Sequence, residues 1–295
     1  MTAAEECQDL VCSPCPLCGE QGSLLQVERR NGLGYATRRC PVCGSLYCAD
    51  HHATVSPDYV GLSPEQITEQ RVWLQGAHKR RAYEQLFHVL HRRGRRVSSV
   101  LDVGCGTGGF LSFAESRGVA ELYGFDASRA QAAHARRTAK TVRESTSVRA
   151  YVNALGWTPH WDLITLWDVL EHLRQPRELL REIREFCAPD CAVFVSTPNA
   201  TAELVKYCVR RAFFRRHSFV PWEHVMYFSL TGLRGLLREC GLEPVHCSGT
   251  ACYDRQLNAF EAVRRAGFAL SRRTALAPQF FVISRPSSSA GACGT

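Results

Sequence analysis

The period of apolar positions changes near residue 97. Between Pro64 and Gly94 they fall at Leu74, Ala77, Ala82, Leu86, Val89 and Leu90, with charge between them. That partial stripe predicts one or two helices, ended by Gly94. From Val97 onward, short apolar runs alternate with amphipathic stretches. Strands are expected over 97–103, 120–125, 147–152, 161–167 and 191–196, with helices over 110–117, 128–140 and 176–187. The alternation argues for an α/β fold, a parallel sheet with helices on both faces. Such sheets bind ligands beyond the carboxyl ends of their strands.

Four strand ends therefore carry the candidate chemistry. After Val103 comes Gly104-Cys-Gly-Thr-Gly-Gly109, a loop that lets the backbone approach a ligand ahead of a helix N-terminus. After Phe125 comes Asp126, 22 residues beyond Gly104, where a carboxylate can accept both hydroxyls of an adenosine ribose. After Val152 comes Asn153, an amide able to read an adenine edge. After Trp167 comes the polar cluster Asp168-Val-Leu-Glu171-His172. Gly104, Gly106 and Gly109 also satisfy the GxGxxG of dinucleotide sites, which makes NAD a rival ligand. Asp102 separates the two. A carboxylate just before the loop repels a pyrophosphate and suits an ammonium group, as in S-adenosylmethionine.

Ahead of the helical stretch lies one internal repeat, Cys15-Pro-Leu-Cys18-Gly and Cys40-Pro-Val-Cys43-Gly. Two such knuckles can place four thiolates tetrahedrally around one zinc ion. A site closed by four sulfurs has no open position, so its role is structural. Cys12, Cys48, His51 and His52 are the possible substitutes within the set. Cys105, Cys187, Cys191, Cys208, Cys240 and Cys247 sit in apolar or helical contexts and read as small buried hydrophobes. The expected organisation is a zinc-ribbon-like module over 1–60, a helical linker over 61–96, the main domain over 97–285 and a disordered tail over 286–295.

Composition adds boundaries. With 295 residues, 45% apolar and 22% charged, the chain is neither wholly disordered nor fibrous. No apolar run approaches the ~18 residues of a membrane span. The acidic start lacks the apolar stretch of a secretory signal, so a cytoplasmic protein with reduced thiols is expected. The net charge of +8 is clustered at Arg92, Arg93, Arg95 and Arg96 and at Arg210, Arg211, Arg215 and Arg216. These read as two solvated faces or as contacts to an anionic partner.

Val100-Leu-Asp-Val-Gly-Cys-Gly-Thr-Gly-Gly-Phe110 resembles the first motif of the class I S-adenosylmethionine-dependent methyltransferases. Trp161 to Leu173, with its Leu-Glu-His, and Trp222-Glu-His-Val-Met-Tyr-Phe-Ser229 resemble segments of the ubiquinone-pathway O-methyltransferase subgroup. The paired CPxCG knuckles also recur in bacterial methyltransferases of this kind. The resemblance covers roughly residues 12 to 285. It implies a doubly wound, mostly parallel seven-stranded sheet, completed by a late hairpin strand at Pro278 to Ser284. It also implies that Asp102, Gly104, Gly106 and Gly108 surround the methionine part of the cofactor. Asp126 would hold the ribose and Asn153 the adenine, although relatives often have Asp at the latter place. Trp167 and Asp168 would flank the methionine end.

The expected reaction is methyl transfer to a small-molecule acceptor such as a sugar-nucleotide, a lipid precursor or a specialised metabolite. Oxygen is the favoured methylated atom, and nitrogen and carbon stay open. The sulfonium methyl is already activated, so the protein mainly positions the acceptor. His172 and His224 are the candidate bases, and a structural role is the alternative for each. Glu171 reads as a brace of its helix, and Trp222, Tyr227 and Phe228 as acceptor-pocket or core residues. Thr201 to Pro221, apolar and basic at helical spacing, reads as a lid over the acceptor site, with an interfacial membrane helix or a plain surface helix as alternatives. The rival activities are an RNA methyltransferase that uses the ribbon to bind RNA and a non-catalytic adaptor that keeps the cofactor fold.

Overall fold

The structure is a computed structural model that describes residues 13–30, 33–48, 62–214, 219–221, 223–250 and 277–287. Cys12, His51, His52, Trp222 and the tail beyond residue 287 lie outside these. The two N-terminal knuckles fold alike. Gly19 donates its N–H to the Cys15 carbonyl and Gly44 to that of Cys40, while Cys15 and Cys40 donate to the carbonyls of Glu20 and Ser45. Around them run β1 (Ser23–Arg30), β2 (Leu33–Arg39) and β3 (Leu46–Cys48), an antiparallel ribbon.

Two helices follow. Helix α1 (Pro64–Leu74) starts at a capping box, with the Ser63 hydroxyl accepting from Gln66 N–H and the Gln66 side chain accepting from Ser63 N–H. Helix α2 (Ala77–Arg92) buries Ala82, Tyr83, Leu86, Leu90 and, on the same face, Lys79.

The main domain then runs β4 (Ser99–Val103), α3 (Gly109–Ser116), β5 (Glu121–Asp126), α4 (Arg129–Ala135), β6 (Arg143–Glu144), α5 (Val148–Leu155) and β7 (Leu163–Trp167). A single 3-10 turn, Leu170–His172, leads to α6 (Pro176–Phe186), β8 (Ala192–Pro198) and α7 (Ala200–Phe214). The chain ends with β9 (Met226–Tyr227), α8 (Leu230–Glu239), β10 (Leu242–Thr250) and β11 (Gln279–Pro286). The large sheet has the order β10-β11-β8-β7-β4-β5-β6. Strands β4 to β8 are parallel, while β11 runs antiparallel to both β8 and β10. This is the seven-stranded, mostly parallel sheet expected from the sequence.

Alternate β4 residues face opposite layers. Leu101 and Val103 pack with Tyr151 and Ile183 on one side, and Val100 with Leu86, Phe110 and Phe194 on the other. From β4 the chain winds outward through β5 and β6, then returns to place β7 on the opposite flank of β4. That reversal opens a crevice at the carboxyl end of β4, the usual ligand position in such sheets.

One expected strand is a helix. Residues 148–155 form α5, because the Ser147 hydroxyl caps Ala150 N–H, Gly156 closes the end in a left-handed conformation, and Val148, Tyr151 and Val152 bury one helical face. The true third strand is the two-residue β6. Asn153 therefore lies exposed on a helix and not at a strand end.

The ribbon is not an isolated module. Its sheet takes a fourth strand, β9, from the main domain. The Arg177 guanidinium on α6 adds hydrogen bonds to the carbonyls of Pro16 and Leu17, both 3.1 Å, while pairing with Glu239. No helix among the described residues is long and apolar enough to cross a membrane.

Candidate functional site

A cavity of about 810 Å³ fills the crevice beyond β4, β5 and β7. Asp102, Gly104, Gly106, Asp126, Trp167, Asp168, His172 and His224 all line it. Gly108 and Asn153 do not. Gly108 instead caps α3 at φ +83°, close against Ala135 on α4, so its role is to turn the chain. The positions facing the cavity after β6 are Ser145 and Thr146.

The glycine loop is shaped by close approach. Gly104 has φ +67°, and a Cβ there would lie 2.7 Å from a Val169 methyl. Asp126 ties the loop to β5: its Oδ2 accepts Gly106 N–H and its Oδ1 accepts Ser128 N–H, each at 2.8 Å. Asp102 is buried on β4 and accepts a 2.7 Å hydrogen bond from the Thr165 hydroxyl. Burial pushes its carboxyl up to about 7; the Thr165 bond opposes the shift, and the nearby Asp126 charge adds to it.

Asp168 is the sole described non-glycine residue with positive φ, at +53°. Its carboxylate pairs with the buried Lys79 ammonium and accepts from Ser196 Oγ and Gln279 Nε2, both 3.3 Å. The same ammonium sits 4.1 Å from the centre of the Trp73 ring. Trp73 and Leu74 of α1 line the cavity. Leu74 rests on the glycine loop so tightly that a Cβ on Gly109 would fall 2.7 Å from its own Cβ. The helix pair read from sequence as a linker is thus a wall of the site. Helical spacing held the signal: Lys79 shares a face with Ala82, Leu86 and Leu90.

Glu171, read from sequence as a brace, lies fully buried in the cavity wall. Neither carboxylate oxygen has a hydrogen-bond partner among the described residues. Burial first, and then the Asp168 charge, hold its carboxyl well above the usual carboxylate range. Glu171, His172 and His224 bring one carboxylate and two imidazoles within 4.8 Å of one another. The His172 Nδ1–H donates to the Glu223 carbonyl at 2.6 Å, which makes Nε2 the lone-pair nitrogen. The His224 ring lies 5.0 Å from that of His172. Its Nδ1 is buried without a partner among the described residues, and burial, with His172 adding to it, pushes its pKa down to about 3.

The lid expected over 201–221 is not where the sequence suggested. No described residue of α7 lines the cavity. Tyr207 donates to the Leu25 carbonyl on β1 and stacks on Phe219, so α7 packs on the ribbon. Tyr227 and Phe228 are core residues. Cys208 is exposed and Cys247 half-buried, while Cys105, Cys187, Cys191 and Cys240 are buried as expected.

The four knuckle cysteines converge at the base of the ribbon, with all four sulfurs within 4.8 Å of one another. Cys15 and Cys43 are 3.7 Å apart and Cys18 and Cys40 3.3 Å. Tetrahedral zinc with ~2.3 Å bonds to sulfur sets neighbouring sulfurs ~3.8 Å apart, so this donor set fits the ion. Cys43 N–H also points to the Cys40 sulfur at 3.4 Å.

A model of the methyltransferase domain matches residues 76–247. The chain belongs to this family of methyltransferase domains. The chain is 32% identical over 113 residues to a ubiquinone biosynthesis O-methyltransferase of Pseudoalteromonas translucida (strain TAC 125), covering 37% of this chain and 47% of that relative. It is 29% identical over 163 residues to one from Azoarcus sp. (strain BH72), covering 53% and 69%. The chain spans about half the length of the first curated relatives it matches. Its fold is like that of magnesium protoporphyrin IX methyltransferase from Synechocystis PCC 6803 with bound SAH. There the TM-score is 0.52 and the identity 13%, over 78% of this chain and 97% of the other.

Proposed function

We propose that the protein transfers the methyl group of S-adenosylmethionine to a small-molecule acceptor, oxygen favoured, and holds one structural zinc ion in its ribbon. The observation that carries this reading is the sign of the crevice. Asp102, Asp126, Asp168, Glu171 and Glu223 line it, Lys79 pairs with Asp168 from behind the wall, and no Lys or Arg is among the described lining residues. A dinucleotide would bring two phosphate charges beside the Asp126 carboxylate with no cation among the described lining residues to meet them, whereas an ammonium can draw the Asp102 carboxyl into its charged form. The family match and the curated O-methyltransferases support methyl transfer.

Asp126, at the carboxyl end of β5, takes the ribose hydroxyls, and Ser145 and Thr146 replace Asn153 beside the adenine. Asp102 accepts the ammonium of the methionine part. Trp167 and Asp168 bound its other side. When bound, S-adenosylmethionine supplies a methyl group already activated on sulfur. The residues then hold an acceptor in line with it. The acceptor hydroxyl passes its proton to His172 Nε2 as its oxygen takes the methyl group. His224, neutral across the physiological range, orients the acceptor by hydrogen bonding.

Two outcomes test the donor half of this site. Asp126→Ala should weaken S-adenosylhomocysteine binding by ~1–3 kcal/mol in calorimetric titration, through lost bonds to a charged acceptor. An unchanged affinity would remove Asp126 from the site. Asp102 gives a pH signature. Its raised folded value means that it stabilises the ligand-free fold fully below its unfolded pKa of ~4, and that this contribution is lost as pH rises through about 7. The ammonium of the ligand needs the carboxylate, so affinity should climb from about pH 6 to about pH 8 with proton release. Asp102→Asn should flatten that climb, and a climb of the same size in the variant would acquit Asp102. An acceptor screen with methyl-labelled S-adenosylmethionine separates small molecules from RNA: label appearing only in RNA would contradict the proposed acceptor class.

A further inference from the structure

The ribbon and the histidine pair meet in one short segment. Residues 223–229 carry the Glu223 carbonyl that fixes the His172 tautomer, then His224, then β9. The ribbon pins Val225, β9 and Ser229 of this segment, while Glu223 and His224 donate their N–H groups to the Val220 carbonyl, each at 2.9 Å. Cys48 N–H donates to the Val225 carbonyl at 2.8 Å, and β9 pairs Met226 with Tyr47 and Tyr227 with Leu46. Ser229 N–H donates to the Ser45 hydroxyl at 3.0 Å, and the Ser229 hydroxyl donates to the Cys43 carbonyl inside the second knuckle. On the main-domain side, the Phe228 carbonyl accepts from Ala200 N–H.

We propose that the ribbon is the positioning element for the histidine pair: the Cys40–Cys43 knuckle, through Ser45 and Ser229, holds residues 223–229 so that His172 and His224 face the acceptor. The ribbon then serves the chemistry without touching donor or acceptor. Ser45 is the positioning residue, since its buried hydroxyl bridges the knuckle and the start of α8. The packing there is close: a Cβ on Gly232 would lie 2.5 Å from Ser45 Oγ. Donor contacts at Asp102 and Asp126 sit on β4 and β5, which the ribbon does not reach through these bonds. Disturbing the ribbon should therefore loosen the histidine segment and spare the donor half. This inference rests on the proposed roles of the two histidines, and its test reads them without needing the acceptor.

The test uses full-length zinc-loaded protein labelled with ¹⁵N-histidine, compared with Ser45→Ala, Ser45→Thr and chelator-treated wild type. In the loaded wild type, His172 should show the nitrogen shifts of the Nδ1–H tautomer. In Ser45→Ala and after chelation it should revert toward the Nε2–H form that free imidazole prefers. Amide exchange over 223–229 should quicken by about tenfold or more in both. Ser45→Thr, which keeps the hydroxyl, should restore the wild-type pattern. S-adenosylhomocysteine affinity should stay within about twofold throughout, because the donor half does not move. The inference is overturned if tautomer and exchange are unchanged in Ser45→Ala and after chelation. It is also overturned if the nucleoside affinity collapses with them, since the effect would then be global unfolding. A wild type that never binds S-adenosylhomocysteine contradicts the donor reading instead, whatever the ribbon does.

Discussion

Replacing Lys79 by methionine is expected to lower the unfolding free energy by ~3–5 kcal/mol, read from urea denaturation. Lys79 is fully buried, with its ammonium paired to Asp168 and set against the Trp73 ring. Removing one member of such a pair leaves the other charge in a poorly solvated place, which costs more than the pair contributed. The residual bonds to Asp168, from Ser196 Oγ and Gln279 Nε2 at 3.3 Å, are long and neutral. Neutralising both partners should recover most of the loss. Asp168→Asn suits this because asparagine tolerates the left-handed φ of +53° found there. A Lys79→Met variant as stable as wild type would show that the pair, and with it the seating of α1 on the glycine loop, does not hold in solution.

The second large effect is expected at the ribbon. Cys15→Ser should take the zinc content from about one per chain to near zero and unfold the β1–β3 ribbon. Structural zinc in small ribbons contributes ~10–16 kcal/mol of apparent binding energy, and little else here could replace it. Among the described residues, the ribbon's own buried apolar side chains reduce to Leu17, Ala36, Leu46 and Tyr47 besides the cysteines. The hydrogen bond to Cys43 and burial push the Cys15 thiol up, while that same bond lowers Cys43 to about 5. Metal binding must displace the protons that remain, so zinc should be lost progressively in acid. Full zinc stoichiometry in Cys15→Ser, by elemental analysis, would mean that another residue completes the site.

The lining of the crevice beyond β4 and β5 was legible because its signals are local. The β4 run, the glycines and Asp126 sit within one βαβ unit, and each residue's chemistry follows from its place in that unit. The reading went astray where local signals conflicted. Val148, Tyr151 and Val152 look like a short buried strand, but Ser147 and Gly156 are a helix N-cap and a left-handed C-cap, and the caps decided. The real strand, Arg143–Glu144, is two polar residues at the sheet edge and has no hydrophobic signature. The lid was misassigned for a different reason. The amphipathicity of α7 is real, but its buried face meets β1, a partner far away in sequence. Long-range contacts also hid the role of α1, since Trp73 and Leu74 become site residues only by resting on the cavity. The knuckle cysteines were plain from spacing. Their link to His224 was not, because it runs through a two-residue strand more than 170 positions away.

Calorimetric titration of the wild type with S-adenosylhomocysteine and with NAD, followed by a crystal structure of whichever binds, tests the account most directly. The account predicts one S-adenosylhomocysteine per chain and no NAD. The ribose should sit on Asp126, the adenine beside Ser145 and Thr146, and the amino group against Asp102. NAD in the crevice, or a nucleoside bound away from Asp102 and Asp126, would contradict it.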